Sequence, residues 1–250
     1  MRIDVLDHGY VEFIEAWGTG KSGADEEGRW HEYRDHERGI IEAARQSTQG
    51  SFRGWDTDAK LLHYLHEHRH ATPFEFAGMV IEVQAPIFVF REWHRHRTQS
   101  YNEMSARYEP LPDLCYVPAY DNTHERAKAA QAARSKQASG IAEYNSLLVD
   151  EWHGALERTY NELERIYQEA LKCGVPKELA RITMPVGHYS RMRASANLRN
   201  WLAFLTLRMD PAAQWEIRQF ADAVGQCVAE AFPQTWKLFR GSKGKSESQS

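Results

Sequence analysis

Between Arg95 and Tyr108 the chain reads RHRTQSYNEMSARY, a stretch dense in groups that bind or orient polar ligands. Arg95 and Arg97 offer two planar forks one residue apart, a geometry that pairs with phosphate or carboxylate better than the point charge of lysine. Arg107 adds a third fork beyond Ser100, Asn102 and Ser105, whose hydroxyl and amide groups can fix a ligand's orientation. Glu103 is the one acid among these cations; it can accept from a ribose hydroxyl or a ring N–H, or hold one of the arginines. A solvated polar turn would have a similar composition. The apolar run before it, Pro86 to Trp93, favours a site, because it pins the cluster against a core.

Elements must position these groups. Pro86 suits the first turn of a helix, and Ile87 to about His94 then delivers the RHR triplet at the C-terminal end, where unpaired carbonyls favour cations. Upstream, Phe76 to Gln84 has strand character, and Ile3 to Leu6 and Tyr10 to Ala16 read as two strands about an Asp-His-Gly turn. Apolar spacing predicts helices over Glu37 to Ser47 and Asp58 to His68. After Tyr108 a proline-bearing loop is expected as far as Tyr120, then a long helical tract from Glu125 to Lys172, with a break expected at Gly140. Leu147, Leu148, Trp152, Leu156, Tyr160, Leu163, Ile166, Tyr167 and Leu171 form a stripe on it near a 3.5-residue period, suited to packing on other helices within the chain or across subunits. Gly174 and Pro176 end it. Glu178 to Arg181 reads as one helical turn, Ile182 to Ser190 as extended, Asn197 to Leu207 as a helix with Leu198, Trp201, Leu202 and Leu205 inward, and Ala212 to Ala231 as the last amphipathic helix. The expected architecture is one α+β domain over residues 1–240, a mixed or antiparallel sheet flanked by long helices, with a disordered tail at 241–250.

Other chemistries fit less well. Gly18-Thr19-Gly20-Lys21-Ser22 resembles part of a phosphate loop, but Glu15 stands where the pattern needs its first glycine. His63, His66, His68 and His70 include metal-like spacings, yet no cysteine or carboxylate completes a recognised set, so no metal is expected. His94 and His96 are flanked by arginines that would repel a cation. No G-x-S-x-G occurs, which argues against a serine-hydrolase elbow. The net charge of −4 gives no support for nucleic-acid binding. Cys115, Cys173 and Cys227 are widely spaced and odd in number, which suits a reducing cytoplasm better than a disulfide framework. No apolar run reaches the ~20 residues of a membrane helix and the N-terminus does not read as a signal peptide, so a cytoplasmic protein with no membrane partner is expected.

The pattern R-H-R-x-x-S-x-N-E-x-S-x-R-Y, filled at every fixed position, resembles the signature of the flavin-dependent thymidylate synthases. Flanking blocks resemble the same family: ATPFEF (Ala71 to Phe76), APIFVFREWHRHR (Ala85 to Arg97), LARITMP (Leu179 to Pro185) and LRMDPAAQWEI (Leu207 to Ile217). The resemblance implies conversion of dUMP to dTMP with FAD as cofactor and NADPH and methylenetetrahydrofolate as co-substrates, in a homotetramer whose active sites form between subunits. It implies flavin contacts from Ser47, His70, Thr72, Arg95, His96, Arg97, Asn102, Glu103, Asn197 and Arg199. It implies that Glu92, Arg95, Glu103, Ser105, Ala106, Arg107 and Arg181 hold the nucleotide. Arg208 would sit at the uracil ring as the catalytic cation, favouring an electron-rich pyrimidine whose carbon 5 can take up the one-carbon unit. Some positions depart from the family pattern. Glu92 stands where many members have glutamine, Ala203 where an asparagine or histidine often meets the flavin, and Gly187 where a polar residue is usual. UMP, as in nucleoside-antibiotic biosynthesis, is the alternative substrate under the same signature.

Overall fold

The computed structural model describes residues 1–18, 35–48, 50–110, 112–132 and 144–247. Most of the glycine-rich stretch after Gly18, and the break expected at Gly140, lie outside the described residues. Five strands form one sheet: β1 (Arg2–Val5), β2 (Gly9–Trp17), β3 (Gly78–Pro86), β4 (Ser100–Glu103) and β5 (Tyr189–Asn197), in the order β1-β2-β3-β5-β4. Every pairing is antiparallel. The α+β expectation holds, with the antiparallel alternative realised.

Side-chain alternation gives the sheet two unlike faces. Val11, Ile81, Val83, Met192 and Ala194 are fully buried on one of them. On the other, register aligns Arg2, Glu12, Glu82, Arg193 and Asn102 in one row across all the strands. Glu82 Oε2 lies 3.3 Å from Arg193 Nε within that row.

Helices pack on the sheet and on one another. In chain order they are α1 (Arg38–Ala44), α2 (Trp55–Glu67), α3 (Ile87–Trp93), α4 (Tyr120–Ala132), α5 (Ser146–Lys172), α6 (Lys177–Ala180), α7 (Leu198–Arg208), α8 (Trp215–Ala231) and α9 (Pro233–Glu247). Along α8, Ile217, Phe220, Ala221, Val224, Cys227 and Val228 are buried, the 3.6-residue stripe of a helix laid on a core. From α7, Leu198, Trp201, Phe204 and Leu205 turn inward, and the Phe204 ring lies 4.6 Å from that of Trp93 in α3. This packing fixes the C-terminal ends of α3 and α7 side by side. The Asn197 side chain caps α7 by accepting from Asn200 N at 3.0 Å, an interaction worth about 1 kcal/mol.

Several elements differ from expectation. Phe76 belongs to a 3-10 turn (Thr72–Phe76), so β3 starts later, at Gly78, over which the Trp17 indole lies too close to admit a Cβ. The middle of the signature, to which the sequence assigns no element, is edge strand β4. Its polar sequence hid it because an edge strand has only one neighbour and half of its side chains meet solvent. Residues 182–188, expected to be extended, form a 3-10 turn (Arg181–Thr183) and an irregular link, with β5 beginning at Tyr189. Helix α8 starts at Trp215 rather than Ala212, and Phe232 separates it from α9, which the periodicity did not reveal as an element of its own. That last helix runs to Glu247, into the stretch expected as a tail. The inward residue of α7 expected at Leu202 is Phe204, with Leu202 only partly buried. The helical tract expected from Glu125 begins at Tyr120 with α4, and along α5 only Tyr167 is buried. Leu147, Leu148 and Trp152 from its stripe are exposed within the single chain.

Candidate functional site

One group of the residues singled out in sequence gathers at the C-terminal ends of α3 and α7 and along β4. At the centre is Arg208, on the last turn of α7. Its Nε donates to His96 Nε2 at 2.9 Å, one terminal nitrogen donates to Glu92 Oε2 at 2.8 Å, and the other donates to the Glu92 carbonyl oxygen at 2.8 Å. A guanidinium has five N–H groups, so one on each terminal nitrogen remains for a ligand. Arg208 keeps only 15% of its side-chain surface exposed, and a charge held this rigidly needs little reorganisation to act on a bound group.

His96 sits in the turn after α3. Tyr101 of β4 donates its hydroxyl to the His96 carbonyl at 2.7 Å, and the imidazole meets the edge of Phe204 at 4.9 Å. Burial, and then the Arg208 charge, push its pKa down to about 4 against a smaller opposing pull from Glu92. The ring is therefore neutral near pH 7. Neighbouring His94 turns away, stacked on Phe90 with Nε2 3.2 Å from Met192 Sδ.

Arg95 and Arg97 are exposed, and neither side chain has an ion pair or hydrogen bond among the described residues. Two unneutralised forks on one turn are suited to attract an anion. Glu103 of β4 accepts from the buried Ser190 Oγ of β5 at 2.7 Å, while Asn102 lies exposed on the opposite face of the strand. Asn200 ties α7 to the same turn by donating to the Thr98 carbonyl at 3.1 Å.

A second group follows the end of β4. Ala106 is buried, Ser105 Oγ accepts from Arg107 N at 3.3 Å, and Arg107 pairs with Glu178 of α6 at 3.7 Å. Arg181, at the end of α6, is exposed. Around Arg181, Leu179, Ile182 and Val186 stand out, Ile182 with 80% of its surface exposed.

A third group borders an apolar pocket of about 160 Å³ walled by Leu65, Phe74 and Leu202, with Arg69, His70 and Arg199 among its lining residues. Arg199 pairs with Glu75 of the Thr72–Phe76 turn. Thr72 opens that turn, and Ser47 is exposed in the short turn after α1, which packs against it. Apolar walls with cations beside them suit a planar ring that carries phosphate, so the residues present fit part of a flavin nucleotide. Among the described residues no set of three or more His, Cys, Asp or Glu is placed to hold a metal ion.

Sequence reasoning missed Ser190, Glu75, Glu178 and Asn200. They act as partners that hold candidate residues in place, and only Glu75 lay in a block already singled out. A buried serine on a strand gives no signal until the strand pairing is known.

Residues 30–234 match the family described as thymidylate synthase complementing protein. A flavin-dependent thymidylate synthase of Thermus thermophilus is 37% identical over 239 residues, 96% of this chain and 78% of that protein. One from Thermotoga neapolitana is 33% identical over 239 residues, covering 96% of this chain and 94% of the relative. Among solved structures, a UMP/dUMP methylase, PolB, from Streptomyces cacaoi bound with 5-Br dUMP has a TM-score of 0.74 at 27% identity, over 96% of this chain and 97% of that one. The same methylase bound with 5-Br UMP gives 0.71 at 27% identity, over 96% of each chain.

Proposed function

Because the chain belongs to the flavin-dependent thymidylate synthase family of nucleotide C5-methyltransferases, we propose that it converts dUMP to dTMP with FAD as cofactor, methylenetetrahydrofolate as carbon donor and NADPH as reductant. The observation that carries this reading is the three-point clamp on Arg208. The two N–H groups it leaves form a fixed cationic edge suited to a pyrimidine's N3 and an adjacent carbonyl oxygen. Negative charge drawn there enriches the ring in electrons and makes carbon 5 nucleophilic toward the one-carbon unit. Stabilising that developing charge is the protein's share of the chemistry. A bound flavin supplies hydride chemistry, which no side chain can provide.

Arg95, Arg97, His96, Asn102 and Glu103, with Ser47, His70, Thr72, Asn197 and Arg199, would hold the flavin. Arg95, Arg107 and Arg181 would neutralise the nucleotide phosphate, with Glu92, Glu103, Ser105 and Ala106 bordering the nucleotide. The site is completed in this reading by a second subunit of a homotetramer. The apolar collar of Leu179, Ile182 and Val186 around Arg181, and the uncovered stripe of α5, support that assembly.

Purified protein is expected to be yellow and to release tritium from 5-tritiated dUMP when given NADPH and the folate. Colourless protein that FAD cannot reconstitute would overturn the reading. The alternative substrate is UMP, favoured by the structural likeness to a methylase seen with both bromo-nucleotides. Running tritiated UMP and dUMP side by side separates the two.

A further inference from the structure

The hydrogen bond from Arg208 to His96 fixes more than the arginine. Arginine Nε can only donate, so His96 Nε2, 2.9 Å away, must be the acceptor and carry no proton. A neutral imidazole has one proton, which is then on Nδ1. We propose that His96 is a positioning residue for the pyrimidine site: its bare Nε2 sets the plane of the Arg208 guanidinium, and the resulting Nδ1–H turns the ring's other edge into a hydrogen-bond donor beside the site. The inference rests on Arg208 being the cation that faces the pyrimidine. It gives His96 a task separate from any contact with a flavin.

The surroundings hold the imidazole in this role. Glu92 fixes the terminal nitrogens of Arg208 and His96 fixes Nε, so the two together define the guanidinium plane, which neither does alone. Tyr101 anchors the backbone of the turn, and the Phe204 edge limits rotation of the ring. The charged groups facing the ring are Arg208 from α7 and Glu92 from α3, with Arg95 and Arg97 on its own turn. Protonation at Nε2 would set two cationic donors against each other and release Arg208. Burial and the arginine's charge keep that event well below neutral pH.

Two substitutions separate positioning from mere structure. The carbonyl oxygen of glutamine can occupy the place of Nε2, whereas leucine fills the volume and accepts nothing. His96→Leu is expected to raise the KM for the nucleotide and lower kcat, reducing kcat/KM by about 100-fold or more, as loss of a preorganised cation's geometry does. His96→Gln is expected to recover at least tenfold of that loss. Flavin absorbance measured on each variant shows whether the protein has folded and bound its cofactor. Equal impairment of the two variants, or none in His96→Leu, would overturn the inference. A second measurement uses the unaltered protein, whose 15N spectrum should show His96 with a bare Nε2 and a protonated Nδ1 from pH 6 to 8. The opposite tautomer, or an imidazolium at pH 6.5, would overturn it equally. Should the unaltered protein bind neither dUMP nor UMP, the functional reading itself fails, an outcome distinct from either of these.

Discussion

Glu92 reaches Arg208 twice, with carboxylate Oε2 at 2.8 Å from one terminal nitrogen and its own backbone carbonyl at 2.8 Å from the other. The carbonyl belongs to the last turn of α3, where it lacks a full helical partner, so the arginine also satisfies a helix end. Helix α7 therefore ends on α3 through one side chain. The burial of Trp93 and Phe204 just behind it keeps the two ends from drifting apart.

Arg208→Ala is expected to keep the flavin, because the exposed forks of Arg95 and Arg97 lie on a different turn. It should lower kcat/KM for the nucleotide by about 100- to 1,000-fold, the scale for losing one preorganised charge-stabilising group. Arg208→Lys should rescue little, since an ammonium cannot meet His96, the Glu92 carboxylate and the Glu92 carbonyl in one plane. Steady-state kinetics with flavin absorbance as the folding control decide this. Turnover unchanged in the alanine variant removes Arg208 from the chemistry.

Glu92→Gln tests the negative charge at the same point. The amide oxygen can still accept from Arg208, but the neutralising carboxylate is gone. One charge removed about 6 Å from a developing anion, at an effective dielectric near 20, corresponds to roughly 2–3 kcal/mol before solvent screening, and the half-exposed site will retain a fraction of that. The expected outcome is a several-fold lower KM for the nucleotide, most visible at low salt. A higher KM would mean that the carboxylate binds substrate directly.

Ser190→Ala releases Glu103. Its carboxylate, held at 2.7 Å by a hydroxyl buried in β5, would regain rotamer freedom at the edge of the sheet. The expected effect is a 3- to 10-fold weaker nucleotide or flavin affinity, part of the roughly 1.5–3 kcal/mol of a hydrogen bond to a charged group, with little change in kcat. Titration of both ligands measures it. Affinities equal to the unaltered protein's would show that Glu103 needs no support.

The signature was legible because its chemistry is dense: Arg95, His96, Arg97, Glu103 and Arg107 lie close in sequence, and α3 before them has an apolar stripe. Strand β4 was not legible, since an edge strand with exposed Ser100 and Asn102 carries no period-two apolar signal. Helix α9 was hidden for a different reason. The apolar spacing of α8 continues through Phe232, the one residue between the two helices, and α9 starts at Pro233, which lacks an N–H. Pairings between distant residues, such as Glu103 with Ser190, depend on strand register, which no local pattern encodes.

Gly187, where the family pattern has a polar residue, is explained by its neighbour. A Cβ there would lie 2.2 Å from Tyr160 Oη and 3.1 Å from the Tyr160 ring carbon that bears it. The hydroxyl occupies the space a side chain would need. Gly187→Ala should therefore cost about 1–3 kcal/mol from overpacking, and Tyr160→Phe in the same chain should recover most of it by removing the clashing oxygen. Urea unfolding of the two single variants and the double variant gives the coupling. Additive effects would mean that Tyr160 swings aside without cost.

The carboxylate of Glu37, 1% exposed, accepts from the backbone N–H groups of Gln234 at 2.9 Å and Thr235 at 2.6 Å, and so caps the start of α9 from the far end of the sequence. Glu37→Ala should destabilise the fold by about 2–3 kcal/mol, because two N–H groups lose a charged acceptor inside the protein. Its pH dependence has a definite sign. Burial raises the carboxyl pKa, and the two N–H bonds pull it down by less. Between the unfolded and folded pKa values the native state holds a proton that the unfolded state has lost, so this group's contribution is fully present below the unfolded value, about 4.3, and declines as pH rises through the folded one. Glu37→Gln has no such titration. The stability difference between the unaltered protein and this variant should therefore shrink from pH 5 to pH 7.5 in urea unfolding. A difference that grows instead would mean that the helix N-terminus stabilises the anion by more than burial costs it.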